Sequence, residues 1–176
     1  MENFKIEPLI PEEATSLCRF MVSNTERFNR FLPITLAQNS TPTDSEAYIN
    51  RKNWEADEKV EFTFAIKEKI SGNIIGLIIL KDLDWDKKQG EFAYCIDKSW
   101  ESKGVMTGVV ETLSAYAFSD LQLKVLHIIV HQSNIESLKV AQKAGFVWQM
   151  SLHNEHTPPN ELPMDMELYE LKIPKI

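Results

Sequence analysis

The chain has 176 residues, 43% of them hydrophobic and 26% charged, which fits one packed globular domain over residues 1–176 and excludes wholesale disorder. Its formal net charge is −7, which disfavours a nucleic-acid binder, because phosphate neutralisation needs clustered Lys and Arg. An acidic surface suits solubility or a cationic partner instead. The longest apolar run, Ile74 to Leu80, falls well short of the roughly 18–20 residues of a membrane span. Met1 to Lys5 carries an acid early and leads into no apolar stretch, so no secretory signal is expected. Two cysteines, Cys18 and Cys95, without a CxxC make a disulfide framework or a cysteine zinc site improbable. A cytoplasmic protein is the default expectation.

Phe4 to Leu9 reads as an opening strand. Pro11 starts a helix, with Glu12 and Glu13 in its first turn and Leu17, Phe20 and Met21 as its apolar stripe. Thr25 to Pro33 reads as a further helical turn or loop, and Gln38 to Pro42 as loop. The spacing Thr43-Asp44-Ser45-Glu46 predicts a capping box and a helix over 44–57. Val60 to Lys67 alternates, with Val60, Phe62, Phe64 and Ile66 on one face and Glu61, Thr63, Ala65 and Lys67 on the other. Ser71-Gly72-Asn73 is the hairpin turn. Ile74 to Leu80 is apolar on both faces and therefore central in its sheet. After a charged turn at 84–90, Glu91 to Ile96 is the next strand. A helix covers about 103–120, from the recurrence of Val105, Val109, Leu113 and Tyr116. Val125 to Val130 is a strand. Asn134 to Gly145 is a short helix, with Asn as its N-cap and Gly beyond its end. Val147 to Leu152 and Met164 to Leu171 are the last strands, separated by a polar loop over 154–163. The order implies one α+β sheet domain with helices on its faces.

Two segments carry chemistry. Residues 94–107 form a strand, a turn and a helix start. Such a turn presents backbone N–H groups at the positive end of a helix, which suits a phosphate. Gly104 permits close approach, and Lys98 and Lys103 add positive charge. Neither a Walker A loop nor a GxGxxG is present. On local physics alone, one Gly before a helix is an ordinary turn. The second segment, Asn134 to Phe146, is explained locally as a capped helix followed by a packing aromatic.

In this order, with a strand between them, the two segments resemble the Gcn5-related N-acetyltransferase (GNAT) superfamily, in its RimJ/RimL branch, over nearly the whole chain. The specific parts are Lys103-Gly104-x-Met106-Thr107, Asn134-x-x-Ser137 with Ala144-Gly145-Phe146, and Glu91-x-x-Tyr94 on the preceding strand. The family turn reads Gln/Arg-x-x-Gly-x-Gly/Ala. Here Glu101 takes the first position and Met106 the last. The resemblance implies the GNAT fold: a mixed, mostly antiparallel sheet of about seven strands flanked by about four helices. It implies acetyl-CoA as co-substrate and no metal. The amides of Ser102, Lys103, Gly104, Val105, Met106 and Thr107 would hold the pyrophosphate. The backbone of Tyr94, Cys95 and Ile96 would pair with the pantetheine arm, and Asn134 would bond the cofactor. Glu101 is an awkward neighbour for an anion, so its side chain should point away.

The resemblance also implies direct acetyl transfer to a primary amine. The ammonium must lose a proton, the carbonyl oxygen needs a donor, and the thiolate benefits from an acid. The positions where relatives carry a Tyr acid and a Glu base hold Ala141 and Ile129 here. Ser137 and Glu91 are the remaining catalytic candidates: Ser137 to bond the sulfur or relay through water, Glu91 as base. Each also has an ordinary structural reading, as helix polarity near a cap and as a strand carboxylate. His127 and His131 lie on one strand face by spacing. His127 reads as surface or core, and His131 is an alternative base. His153, Glu155 and His156 lead into the late loop, a candidate lining for the acceptor pocket. Trp54, Trp85, Trp100 and Trp148 read as packing, and Cys95 as strand filler. The acceptor expected from the branch is a protein N-terminus, of the ribosomal-protein type. Small cationic amines (polyamines or aminoglycosides) and a non-catalytic acyl-CoA-binding module are the alternatives. A homodimer is possible, and neither nucleic acid nor membrane is expected as a partner.

Overall fold

The computed structural model describes residues 3–173. Its strands are β1 (Phe4–Pro8), β2 (Phe62–Glu68), β3 (Ile74–Asp84), β4 (Gln89–Ile96), β5 (Val125–Val130), β6 (Val147–His156) and β7 (Met164–Lys172). The α-helices among the described residues are α1 (Ala14–Ser23), α2 (Thr25–Phe28), α3 (Pro33–Ala37), α4 (Pro42–Asp57), α5 (Val105–Ser119) and α6 (Ile135–Lys143). The strands form one seven-stranded sheet in the order β1-β2-β3-β4-β5-β7-β6. The sheet is mixed: β4 and β5 run parallel, whereas β1 with β2, β5 with β7, and β6 with β7 are antiparallel. No helix among the described residues is long and apolar enough to cross a membrane.

Contacts divide the chain into two compact units, with β3 and β4 running through both. Of the described residues, the first unit holds 3–79, 94–100 and 158–162. Its core gathers Leu17, Phe20 and Met21 of α1, Phe28, Leu36, Tyr48 and Ile49, and Ala65, Leu77 and Cys95 from the strands. The stripe expected on α1 is therefore the buried one. Gly76 is required here: a Cβ would stand 2.8 Å from the Cys95 carbonyl oxygen and 2.9 Å from Ile66 Cδ1, closer than any side chain tolerates. The second unit holds 80–93, 101–157 and 163–173. Val109, Val110, Leu113 and Ala117 of α5 are buried in it, as are Leu126 and Ile128 of β5, Ala141 and Phe146.

Several local expectations need correction. The capping box of α4 is built by Thr41 and Asp44, two residues earlier than the expected pair. Asp44 N donates to Thr41 Oγ1 at 3.1 Å, and Thr41 N donates to Asp44 Oδ2 at 3.1 Å. Pro42 takes the first helical position, where its missing N–H and fixed φ fit, and so places the cap one residue before it. Strand β2 starts at Phe62, leaving Val60 54% exposed. Both faces of β2 are covered, so Lys67 is not an outer residue: its side chain is 4% exposed and paired with Glu7 and Glu13. Strand β6 runs to His156, so His153, Glu155 and His156 lie on a strand and not in a loop. Trp54 and Trp148 are 60% and 52% exposed and do not serve as packing.

Candidate active site

Strand β4 pairs with β5 over Gln89–Phe92 against Val125–Ile128, and the ladder stops there. Yet β4 continues to Ile96 and β5 to Val130. The parallel ladder therefore does not use the β4 backbone after Phe92. Ala93, Tyr94, Cys95 and Ile96 make up that stretch. Cys95 is buried, and burial pushes its thiol up to about 12, so it is strand filler and not a nucleophile.

In the first unit a polar cluster fixes the end of β4. Asn24, 4% exposed, donates from Nδ2 to Asp97 Oδ2 at 2.9 Å. Arg27 donates to Asn24 Oδ1 at 2.7 Å and to the Ile96 carbonyl at 3.1 Å. The backbone N–H and the hydroxyl of Ser99 both donate to Asp97 Oδ1, at 2.9 and 2.5 Å. Burial opposes ionisation of Asp97, but the donors on Ser99 and Asn24 and the charge of Arg27 outweigh it, and the carboxyl sits below its usual range. The chain leaves β4 in a 3-10 turn at Lys98–Trp100.

In the second unit the turn ends with two left-handed residues, Ser102 at φ 55° and Gly104 at φ 77°. Gly104 is the N-cap of α5, and no side chain caps that helix. The first amides of α5 are thus left for another partner. A Cβ on Gly104 would meet nothing within 4 Å, so a ligand can come up against the backbone there. Val105 and Met106 are buried and anchor the first turn. Met106, at the family's small position, is thus accommodated inside, while Thr107 is half-buried. Lys98, in the first unit, and Lys103, in the second, are exposed. Ser102 Oγ donates to Glu136 Oε2 of α6 at 3.3 Å.

Asn134 is the N-cap of α6, and its Oδ1 accepts from Ser137 N at 3.3 Å. That leaves the Nδ2 amide as its donor toward a ligand. Ser137 is half-buried in the first turn of α6. Ala141, where relatives carry an acid, is fully buried. Ile129 is half-buried on β5.

Glu91 of β4 has its side chain 16% exposed and pairs with Lys81 Nζ at 3.0 Å. Burial raises its pKa, and Lys81 only partly opposes the rise. A carboxylate whose proton affinity is raised is a better base than a solvated one. Lys81 itself also holds Asp82 at 2.6 Å. Opposite Glu91 in the ladder stands His127, whose Nε2 lies 3.3 Å from Glu170 Oε2. His131 lies past the end of β5, so it does not share that strand face. Its Nδ1 accepts from Ser133 N at 3.2 Å and closes the local turn. His153 pairs with Asp165 at 2.8 Å on the exposed surface of β6 and β7. Sequence reasoning missed Lys81, Glu170 and the Asn24–Arg27–Asp97 cluster, none of which has a motif.

Comparisons with known proteins bear on the family and the fold. A family model described as an acetyltransferase (GNAT) domain matches residues 3–147. YdaF of Bacillus subtilis (strain 168), provisionally named a ribosomal N-acetyltransferase, is 27% identical over 146 residues, covering 83% of this chain and 79% of its own. The ribosomal-protein-S5-alanine acetyltransferase of Vibrio fischeri superposes with a TM-score of 0.90 at 18% identity, covering 98% of this chain and 94% of that one. RimL, a ribosomal L7/L12 alpha-N-protein acetyltransferase solved in complex with coenzyme A, superposes with a TM-score of 0.90 at 12% identity, covering 98% and 96%. These structural likenesses establish the fold. With the family model spanning most of its length, this chain belongs to the GNAT acetyltransferases and is an N-acetyltransferase of that family.

Proposed function

We propose that the chain, acting as one domain in the cytoplasm, transfers the acetyl group of acetyl-CoA directly to a primary amine, and that this amine is a protein N-terminus. The observation that carries the reading is the early end of the β4–β5 ladder followed along the chain by an uncapped α5. The first supplies β4 backbone at Tyr94, Cys95 and Ile96 for an amide-bearing arm. The second supplies the amides of Ser102 to Thr107 for a pyrophosphate, with Lys103 adding charge. Acetyl-CoA would bring the thioester, and Asn134 Nδ2 would bond it.

Glu91 takes the proton of the ammonium, and the neutral amine attacks the thioester carbonyl. The C–N bond forms as the C–S bond breaks, and the second N–H proton of the attacking nitrogen passes to the leaving thiolate, giving the amide and the free thiol. Ser137 hydrogen-bonds the sulfur, since a hydroxyl is too weak an acid to protonate it outright. A second reading, an acyl-CoA-binding module without turnover, is favoured by the absence of an acid at Ala141 and a base at Ile129.

Thiol release from acetyl-CoA, measured with a panel of N-terminal peptides, polyamines and aminoglycosides, separates these readings. Turnover on peptides is expected. Glu91→Gln should lower kcat by about a hundredfold, the low end of a general base's contribution, with acetyl-CoA affinity nearly unchanged. Tight binding of acetyl-CoA with no turnover on any amine establishes the module instead.

A further inference from the structure

Four strands of the second unit contribute to one row of charged groups. The row runs Lys81, Glu91, His127, Glu170 and Lys172, on β3, β4, β5 and β7. Asp82 stands beside Lys81, and Lys172 Nζ lies 2.9 Å from Glu170 Oε1. The register makes the row: Glu91 pairs with His127 across the parallel ladder, and His127 with Glu170 across the antiparallel one. Side-chain exposure is 16% at Glu91, 20% at His127 and 18% at Glu170, but 70% at Lys172. The row thus reaches solvent at both ends, through Lys172 on one side and, on the other, through Lys81 at 32% and Asp82 at 68%.

A buried base must give up its proton before the next turnover. On one side of Glu91 stands Lys81, a cation that cannot accept one. On the other stands His127. Glu170 is held ionised, chiefly by the Lys172 ammonium, and an ionised carboxylate only accepts. The contact at 3.3 Å therefore makes Nε2 of His127 the protonated nitrogen. Nδ1 then carries the lone pair. This is the arrangement in which a carboxylate orients an imidazole for proton uptake.

We infer that His127 and Glu170 are positioning residues that pass the amine's proton onward from Glu91 to solvent, an inference that rests on the acetyl-transfer reading above. The steps balance. Glu91 gains H⁺ from the ammonium. The protonated carboxyl then returns to carboxylate as Nδ1 gains H⁺. The imidazolium finally loses its Nδ1 proton to bulk water, restoring the neutral ring with Nε2 still protonated toward Glu170. No hydrogen bond joins Glu91 to His127 directly, so a bridging water between them is part of the proposal.

The test uses the full chain. His127→Gln keeps a donor toward Glu170 but cannot titrate. It should lower kcat about tenfold, leave the KM for acetyl-CoA within about twofold, and remove one inflection from the kcat–pH profile. Glu170→Gln should act in the same direction. His127→Ala should regain turnover when imidazole is added. Nitrogen NMR of the four histidines, assigned by His127→Gln, should show His127 with Nε2 protonated. A His127→Gln enzyme with wild-type kcat and profile overturns the inference. So does a wild-type His127 protonated at Nδ1, a readout that needs no activity. Loss of activity in Glu91→Gln without loss in His127→Gln overturns the relay alone. Full activity in Glu91→Gln overturns the base on which it rests.

Discussion

Gly104 and Gly72 are a matched pair. Both sit at positive φ, 77° and 72°, and at both a new Cβ would find open space. A left-handed L-residue costs roughly 1–2 kcal/mol, and the lost freedom of the unfolded chain returns roughly 0.4–1. Gly104→Ala and Gly72→Ala should therefore destabilise alike, by about 1 kcal/mol or less, which lowers Tm by about 2–4 °C at this chain length. Ligand binding should separate them. Gly72 turns the hairpin between β2 and β3, whereas Gly104 opens the uncapped end of α5. A methyl at Gly104 stands where a pyrophosphate would approach the amides. Gly104→Ala should weaken acetyl-CoA binding by about tenfold, or 1.4 kcal/mol, and Gly72→Ala should leave it unchanged. Paired thermal melts and calorimetric titrations measure both quantities. Equal acetyl-CoA affinity in the two variants would refute the placement of the phosphates at this turn.

Other perturbations report on the supports of the site and on its acceptor. Lys67→Met removes a buried cation shared by Glu7 and Glu13 and should cost about 3 kcal/mol in guanidinium unfolding. Adding Glu13→Gln should recover part of it, because Glu13, 16% exposed, is the carboxylate left without its counter-ion, whereas Glu7 is 41% exposed and keeps Lys5 at 3.0 Å. Asp97 has a lowered folded pKa, so its contribution to stability is complete above the unfolded value, about 3.9. It is lost as pH falls through the lower folded value. Unfolding measured between pH 2 and 6 should show a shallower acid slope for Asp97→Asn than for the parent, and an unchanged slope would sink the assignment. Turnover on α-amino peptides should level off above about pH 8, while turnover on alkylamines should keep rising toward about pH 10.

Where local chemistry decides, the sequence was readable. Asn134 caps α6, Gly145 follows it at φ 86°, and β5 has the expected bounds. The α4 cap slipped by two residues because two threonines precede acids there, and Pro42 holds the information that chooses between them. Strand β6 was read short because nearly all its residues are exposed. With neither face covered, no hydrophobic period marks its end. The burial of Lys67 followed from a second covered face, which alternation does not reveal. In the site, Gly104 and Asn134 were visible as turn and cap. The pair His127–Glu170 was not, because 43 residues separate its members and only strand register brings them together.

The sparse acid–base equipment bears on which amine the site serves. An α-ammonium, with pKa about 7.7–8.0, costs roughly 1–1.4 kcal/mol to deprotonate at pH 7, whereas an alkylammonium near 10.4 costs about 4.6. The difference, over 3 kcal/mol, is a factor of several hundred in rate that a base must supply for a polyamine and need not supply for an N-terminus. At the other end of the reaction, a thiol with pKa about 8.5 makes a tolerable leaving group. Protonating its thiolate at pH 7 is worth about 2 kcal/mol, which bounds the loss from having no acid. Ala141 is fully buried, so a tyrosine there would overpack the second unit and not simply restore an acid. One carboxylate of raised proton affinity, steadied by Lys81, matches the easier amine. Within the proposed reading, proton cost therefore favours the N-terminal acceptor, and the acidic charge of the chain leaves the choice open.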